Sequence, residues 1–158
     1  MPLDGRYTYR APIWARSPMT QTGLGRSHFR RRGPNPMLDA SKEEIILTSE
    51  EVRLQGFDSK QDEPQSRGLV VLLPGWEGSA NSTYMVCMGR ILYKAGYDVY
   101  RLNYRDHGHT HHLNEGMFHG ALLQEVAEVV NTILMKSAAG RVFIVGFSLG
   151  GNFALRLA

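Results

Sequence analysis

The chain has 158 residues, 42% of them apolar, which is enough for one hydrophobic core and predicts a single folded domain. The one cysteine, Cys87, excludes an internal disulfide framework and favours a reducing compartment. No apolar run reaches the roughly 20 residues of a membrane-spanning helix, and no secretory leader pattern is present. We therefore expect no membrane span and a cytoplasmic location.

The formal net charge of +3 is concentrated at the beginning of the chain, where residues 1–40 carry seven arginines against Asp4 and Asp39. The triplet 30–32 (Arg-Arg-Arg) fits either a patch for nucleic acid or a membrane surface, or a solvated arm. No interleaved aromatic platform or repeated basic helix accompanies it, which favours the solvated arm and no nucleic-acid partner. We predict that residues 1–40 are a basic, irregular lead-in to a domain at 41–158.

The first regular structure that the sequence predicts is an antiparallel hairpin. Residues 44–48 (Glu-Ile-Ile-Leu-Thr) and 52–57 (Val-Arg-Leu-Gln-Gly-Phe) are short strand-like runs with a turn between them. The polar segment 58–67 contains a proline and predicts a surface loop.

Strand and helix patterns alternate from residue 68 onward. We predict buried strands at 68–73, 97–104 and 142–145, and amphipathic helices at 82–95, 120–136 and 150–158. Because strands that alternate with helices form parallel sheets, this order predicts an α/β fold with a mostly parallel sheet and flanking helices.

A serine bracketed by glycines follows the last predicted strand. Gly146 and Gly150 stand two residues before and after Ser148, between a strand and a helix. Glycines at these positions allow a strained turn that lifts the serine hydroxyl out of the sheet, as in a nucleophile elbow. The N–H of Leu149 would lie at a helix N-terminus, which favours a developing negative charge.

A second backbone donor is predicted in the loop after the first buried strand, at 74–79 (Pro-Gly-Trp-Glu-Gly-Ser). In an α/β sheet this loop approaches the serine turn, so the N–H of Trp76 would join that of Leu149 in an oxyanion hole. Without Ser148 nearby, the same segment would be an ordinary glycine-rich strand exit.

The segments 74–79, 103–109 (Asn-Tyr-Arg-Asp-His-Gly-His) and 146–151 (Gly-Phe-Ser-Leu-Gly-Gly) together resemble the α/β-hydrolase fold. The chain is more narrowly similar to the YheT-like branch, through Gly75, Glu77, Gly78, Ser79, Asn81, Ser82 and Tyr84 and through the stretch 14–22 followed by 29–31. This resemblance implies a Ser–Asp–His hydrolase in which Ser148 attacks esters or related acyl compounds of small molecules. It implies no metal and no organic cofactor.

The chain departs from the family pattern at three places. Pro74 stands where many relatives have histidine, and Met19-Thr20 replaces a His-Leu pair. The family's acid and histidine follow the serine along the chain, whereas neither residue type occurs after Ser148 here. We therefore expect an α/β-hydrolase domain truncated after the strand and helix of the elbow, inactive as it stands, with an unpaired strand at the sheet edge.

Several alternatives stay open at this point. A rewired triad or a metal site would use the loop residues Asp106, His107, His109, His111 and His112. The same elbow could transfer an acyl group to an acceptor other than water, or belong to a non-catalytic relative that binds a partner. The sequence does not indicate the substrate or the oligomeric state.

Overall fold

The computed structural model describes residues 10–62 and 66–158, which form a sheet flanked by helices. Its strands are β1 (Ser41–Leu47), β2 (Arg53–Ser59), β3 (Leu69–Leu73), β4 (Asp98–Leu102) and β5 (Val142–Gly146). Its α-helices are α1 (Pro18–Arg26), α2 (Pro36–Asp39), α3 (Thr83–Lys94), α4 (Leu123–Lys136) and α5 (Leu149–Leu157).

The sheet has the strand order β1-β2-β4-β3-β5 and two differently built halves. β1 and β2 form the predicted antiparallel hairpin, with Ser41 opposite Ser59 and Leu47 opposite Arg53. β2 joins β4 in antiparallel fashion, whereas β3 is parallel to both β4 and β5. The predicted α/β class is confirmed, and the parallel half carries the elbow.

β3 lies between β4 and β5 in the parallel half of the sheet, and all five of its residues are buried. Alternate side chains of a strand point to opposite faces of the sheet, so β3 contributes to two cores. Val71 and Leu73 pack with α4, whose buried stripe consists of Val126, Val129, Val130 and Ile133. Val70 and Leu72 pack on the other face with Met85 and Val86 of α3. Burial on both faces explains why β3 is a continuous apolar run.

β5 differs from the prediction of a buried strand. Within the described residues it pairs with β3 alone and lies at the edge of the sheet, as expected for a sheet that ends at the elbow strand. Its side chains are only partly covered, and that of Phe143 is 44% exposed. The apolar run at 142–145 predicts a strand correctly, but burial depends on neighbours that the run itself does not specify.

The lead-in also differs from the prediction, because it is not irregular throughout. Within the described residues from 10 onward it contains α1, α2 and short 3-10 turns at Ile13–Ala15 and His28–Arg31. Met37 of α2 is fully buried in the core beside α3, where Gly89 leaves room for its sulfur. Residues 1–9 of the predicted lead-in lie outside the described residues. Among those that are described, no helix combines the length and apolar character needed to cross a membrane.

Candidate active site

Ser148 occupies a sharp turn between β5 and α5. β5 ends at Gly146, α5 begins at Leu149, and the backbone at Ser148 has φ 52° and ψ −113°. Residues other than glycine rarely adopt such a positive φ, because this backbone conformation costs them about 1–3 kcal/mol. Ser148 therefore lies in a strained turn from strand to helix, and the surrounding contacts must compensate the strain; that this turn is a nucleophile elbow stays a prediction.

Two glycines make the turn possible because backbone atoms occupy the space of their missing side chains. A β-carbon on Gly146 would overlap the carbonyl group of Gly150. A β-carbon on Gly150 would overlap the carbonyl oxygen of Leu73 and lie 2.5 Å from that of Pro74. Both glycines of the predicted motif are therefore required by the packing of α5 against the ends of β3 and β5.

The loop that leaves β3 lies against the serine turn, as the sequence predicted. The N–H of Phe147 donates to the Leu73 carbonyl at 3.0 Å. A β-carbon on Gly75 would lie 3.3 Å from the Phe147 carbonyl oxygen and 3.4 Å from the β-carbon of Ser148. The loop turns back at once, since the N–H of Gly78 donates to the Gly75 carbonyl at 3.0 Å. Trp76 and Leu149 thus belong to two segments that meet at Ser148.

The two predicted oxyanion donors are free to bind a ligand. Within the described part of the chain, neither the N–H of Trp76 nor that of Leu149 donates a hydrogen bond, whereas the neighbouring N–H groups of Gly75 and Gly150 do. Leu149 is the first residue of α5, whose N-terminal dipole adds a partial positive charge there. The arrangement can accept an anionic oxygen.

One peptide group of the loop is clamped by two tyrosines that sequence reasoning gave no role. The peptide between Pro74 and Gly75 accepts a hydrogen bond from the Tyr104 hydroxyl at its carbonyl (3.2 Å) and donates one to the Tyr84 hydroxyl from its N–H (3.0 Å). With this peptide fixed on both sides, the next N–H along the chain, that of Trp76, is left unpaired. Both tyrosines resemble ordinary core residues in the sequence, so no signal beyond the family motif at Tyr84 could have identified them.

Tyr84 also connects the loop to the elbow. Its ring lies 4.7 Å from the ring of Phe147, the residue before Ser148. Its hydroxyl fills the space beside Gly78, where a β-carbon would overlap it. The side chain therefore touches both segments that carry the candidate donors.

Tyr104 is fully buried within a group of aromatic side chains. Its ring is stacked on Phe118 at 4.8 Å and lies edge-on to Phe153 of α5 at 5.4 Å. Burial, with a smaller contribution from Tyr84, raises the pKa of the Tyr104 phenol far above its usual range, so the phenol stays protonated as a donor. Phe118 also approaches the half-exposed ring of Trp76 at 6.2 Å and gives the site an apolar wall.

The loop after β4 contains His107, His109, His111 and His112 and is called here the histidine loop. In the described residues it does not supply Ser148 with a base. His111 pairs with Asp106, and the Nδ1 of His107 lies 2.9 Å from the Arg105 carbonyl oxygen. No hydrogen bond of the Ser148 hydroxyl is found in residues 10–62 or 66–158. The same residues contain no group of three His, Cys, Asp or Glu side chains that could hold a metal ion.

An ion pair ties the histidine loop to α4. The guanidinium of Arg105 donates to one carboxylate oxygen of Glu125 at 2.7 and 3.1 Å. Burial raises the pKa of Glu125, and the hydrogen bonds and charge of Arg105 oppose that rise. The pair thereby joins the loop after β4 to α4.

The family model described as "alpha/beta hydrolase fold" matches residues 68–158, more than half of the chain and the whole region of the elbow. The chain belongs to the alpha/beta hydrolase fold family. No curated protein sequence matches it significantly.

Solved structures share this hydrolase fold. The esterase Pf2001 of Pyrococcus furiosus matches with a TM-score of 0.65 and 24% identity over 79% of this chain and 49% of its own. The esterase Est22 matches with 0.63 and 16% over 91% and 47%. An alpha-beta serine hydrolase homologue from Coxiella burnetii matches with 0.60 and 16% over 74% and 56%. The chain thus spans about half the length of these structures.

Substitution of Gly150 tests the packing of the elbow. We expect Gly150→Ala to lower the free energy of unfolding by about 3 kcal/mol, because the new methyl group meets the backbone of β3. Gly151→Ala is the matched control, since a β-carbon there lies no closer than 3.3 Å to its nearest neighbour, the Gly146 carbonyl oxygen. Urea unfolding measures both. Equal stability of the two variants would contradict the proposed close contact.

Tyr84→Phe tests the clamp on the loop. The phenyl ring retains its packing against Phe147, but the Gly75 N–H loses its acceptor, so we expect its hydrogen exchange to accelerate about tenfold. Tyr93→Phe is the control on the same helix, because it removes a similar hydrogen bond, to the Lys60 carbonyl, away from the loop. NMR-detected exchange distinguishes them. An unchanged rate at Gly75 in Tyr84→Phe would show that this hydrogen bond does not hold the loop.

Proposed function

We propose that this protein is a serine hydrolase that cleaves carboxyl esters or related acyl compounds of small molecules. The observation that carries the proposal is the strained backbone of Ser148, held beside two unpaired N–H groups. In the proposed reaction the Ser148 oxygen attacks the acyl carbonyl and loses its proton to a base. The N–H groups of Trp76 and Leu149 stabilise the tetrahedral oxyanion, each contributing roughly 3 kcal/mol to lowering the barrier.

The second half of the proposed reaction regenerates the serine. The tetrahedral intermediate collapses, the alcohol leaves with a proton, and the acyl group stays on the Ser148 oxygen. Water then attacks the acyl-enzyme and releases the acid. Every step uses proton transfer and backbone donors, and the proposal includes no cofactor or metal.

The relatives support this proposal at the level of the fold. Two of the structures named above are esterases, but an identity below 25% carries no substrate to this chain. We assign the chain to the YheT-like branch as a proposal that rests on the segment from Gly75 to Tyr84. In that segment the structure gives Tyr84 a contact with the loop, which is a physical reason for a tyrosine there.

A Ser–Asp–His mechanism also needs a base and an acid. The described residues place neither group at the Ser148 hydroxyl. Asp106 and His111 are paired with each other, and among residues 10–62 and 66–158 the Ser148 hydroxyl has no hydrogen-bond partner. We propose that both groups follow Ser148 in the complete protein and that the 158-residue chain alone is inactive. This proposal follows the family order of serine, acid and histidine.

Active-site labelling tests the proposed function. We expect a fluorophosphonate to label the protein expressed from its full reading frame, and Ser148→Ala to abolish the label. We expect the 158-residue chain to react with the fluorophosphonate at a rate reduced about 100-fold or more, because its described residues give the serine no general base. A label that survives in Ser148→Ala, or a complete, folded protein that never reacts, would overturn the proposal.

Two variants of the elbow separate its function from its stability. Ser148→Gly relieves the positive φ, so we expect it to raise the free energy of unfolding by about 1 kcal/mol, after the higher entropy of unfolded glycine is subtracted. Ser148→Ala keeps the strain and should leave stability within about 0.5 kcal/mol of the parent chain. Both variants lack the nucleophile. Equal stabilities in thermal unfolding would show that Ser148 is not strained.

A further inference from the structure

The segment from Arg10 to Arg32, called here the lead-in surface, exposes large apolar side chains. Ile13, Trp14 and Met19 are 81%, 69% and 85% exposed, although they lie within seven residues of each other. Leu24 and Phe29 are also exposed. Single exposed apolar residues are common on folded proteins, but a concentration in one short segment marks an interaction site.

The same segment is strongly and exclusively basic. Residues 10–38 contain six arginines and no aspartate or glutamate. Arg10, Arg16, Arg30 and Arg32 are exposed, and within the part of the chain that the structure describes none of these four has a carboxylate partner. The lead-in surface therefore combines apolar side chains with uncompensated positive charge.

The fold holds this surface in place by its backbone and leaves most of its side chains free. The guanidinium of Arg90 on α3 donates to the carbonyls of Arg30 and Arg32 at 3.2 and 3.1 Å. Arg31 donates in turn to the Asn81 carbonyl at 3.1 Å. Because carbonyl groups make the attachments, the side chain of Arg30 remains available to a partner, and the guanidinium of Arg32, although it lies over the Phe29 ring, keeps its N–H groups for an anion.

We propose that the lead-in surface binds the anionic surface of a lipid bilayer peripherally, without crossing it. Arginines attract anionic headgroups, and Ile13, Trp14 and Met19 would enter the boundary between headgroups and acyl chains. The proposal is independent of the ester chemistry assigned to Ser148.

The apolar side chains favour a membrane over a nucleic acid. Nucleic-acid surfaces use aromatic faces on which bases stack. The two most exposed apolar side chains within the described part of the lead-in surface, Ile13 and Met19, are not aromatic. The ring of Phe29 is already covered by the guanidinium of Arg32, 4.7 Å from its centroid.

Vesicle sedimentation with the full chain tests the proposal. We expect the chain to sediment with phosphatidylcholine vesicles that contain phosphatidylserine and at least tenfold less with phosphatidylcholine alone. Arg30→Gln with Arg32→Gln should weaken binding about tenfold or more, because each arginine near the surface contributes a several-fold factor. Ile13→Ser with Trp14→Ser should weaken it similarly, through loss of the inserted side chains.

Two matched pairs control for general effects of charge and apolarity. Arg53→Gln with Lys42→Gln removes two exposed charges from the hairpin, and Met135→Ser with Leu47→Ser removes two exposed apolar side chains elsewhere. Binding unchanged in both control pairs supports the proposal, provided that all variants unfold at the temperature of the parent chain. Equal loss in test and control pairs overturns it.

Two other occupants give distinct results. The first is a nucleic acid. It is identified if the chain does not bind vesicles but binds single-stranded RNA, and if this binding is lost in the arginine pair and kept in Ile13→Ser with Trp14→Ser. The second is another copy of this chain. It is identified if sedimentation equilibrium without lipid shows a dimer that becomes a monomer in Ile13→Ser with Trp14→Ser. Either result overturns the membrane proposal.

Discussion

The contact of Gly150 with the carbonyl ends of β3 is the constraint on which the candidate site depends. The Leu73 carbonyl receives the Phe147 N–H and also lies where any side chain at Gly150 would have to be. α5 can therefore begin directly against the exit of β3, which brings its free N-terminal N–H, that of Leu149, to the loop that carries Trp76. A bulkier residue at Gly150 would push these two segments apart even if Ser148, Trp76 and Leu149 were unchanged.

A second constraint acts on the opposite side of the same space. The peptide between Pro74 and Gly75 is bonded through its carbonyl to Tyr104 and through its N–H to Tyr84, so its plane cannot rotate freely. The Trp76 N–H belongs to the next peptide plane, whose carbonyl, that of Gly75, accepts from the Gly78 N–H at 3.0 Å, so its direction is limited as well. A donor that is already oriented needs little reorganisation free energy when charge develops, which is the physical basis of oxyanion stabilisation. The two constraints are built from different residues and meet at Ser148.

The tight turn around Ser148 and the strand pattern could be predicted from the sequence, because glycines and continuous apolar runs each have a direct structural cause. Gly146 and Gly150 indicate a place where a β-carbon cannot fit, and the run at 69–73 indicates burial on both faces. The lead-in could not be predicted, because its short helices have little periodicity and are held by remote groups such as Arg90. The clamp by Tyr84 was equally hidden, since a tyrosine on the inner face of a helix looks like core packing.

The proposed reaction needs groups that stabilise charge and groups that move protons, and these have different structural requirements. The proposed oxyanion donors are backbone N–H groups and need only that β3, β5 and α5 meet closely, as they do around Gly146 and Gly150. A base for Ser148 must be a side chain delivered to within hydrogen-bond distance, and the described loops direct theirs elsewhere, with His111 paired to Asp106. The backbone at Ser148 is thus already strained, while its hydroxyl has no partner among the residues that the structure describes. Such strain costs stability, and in the proposed reaction it brings a benefit only when a base reaches the serine.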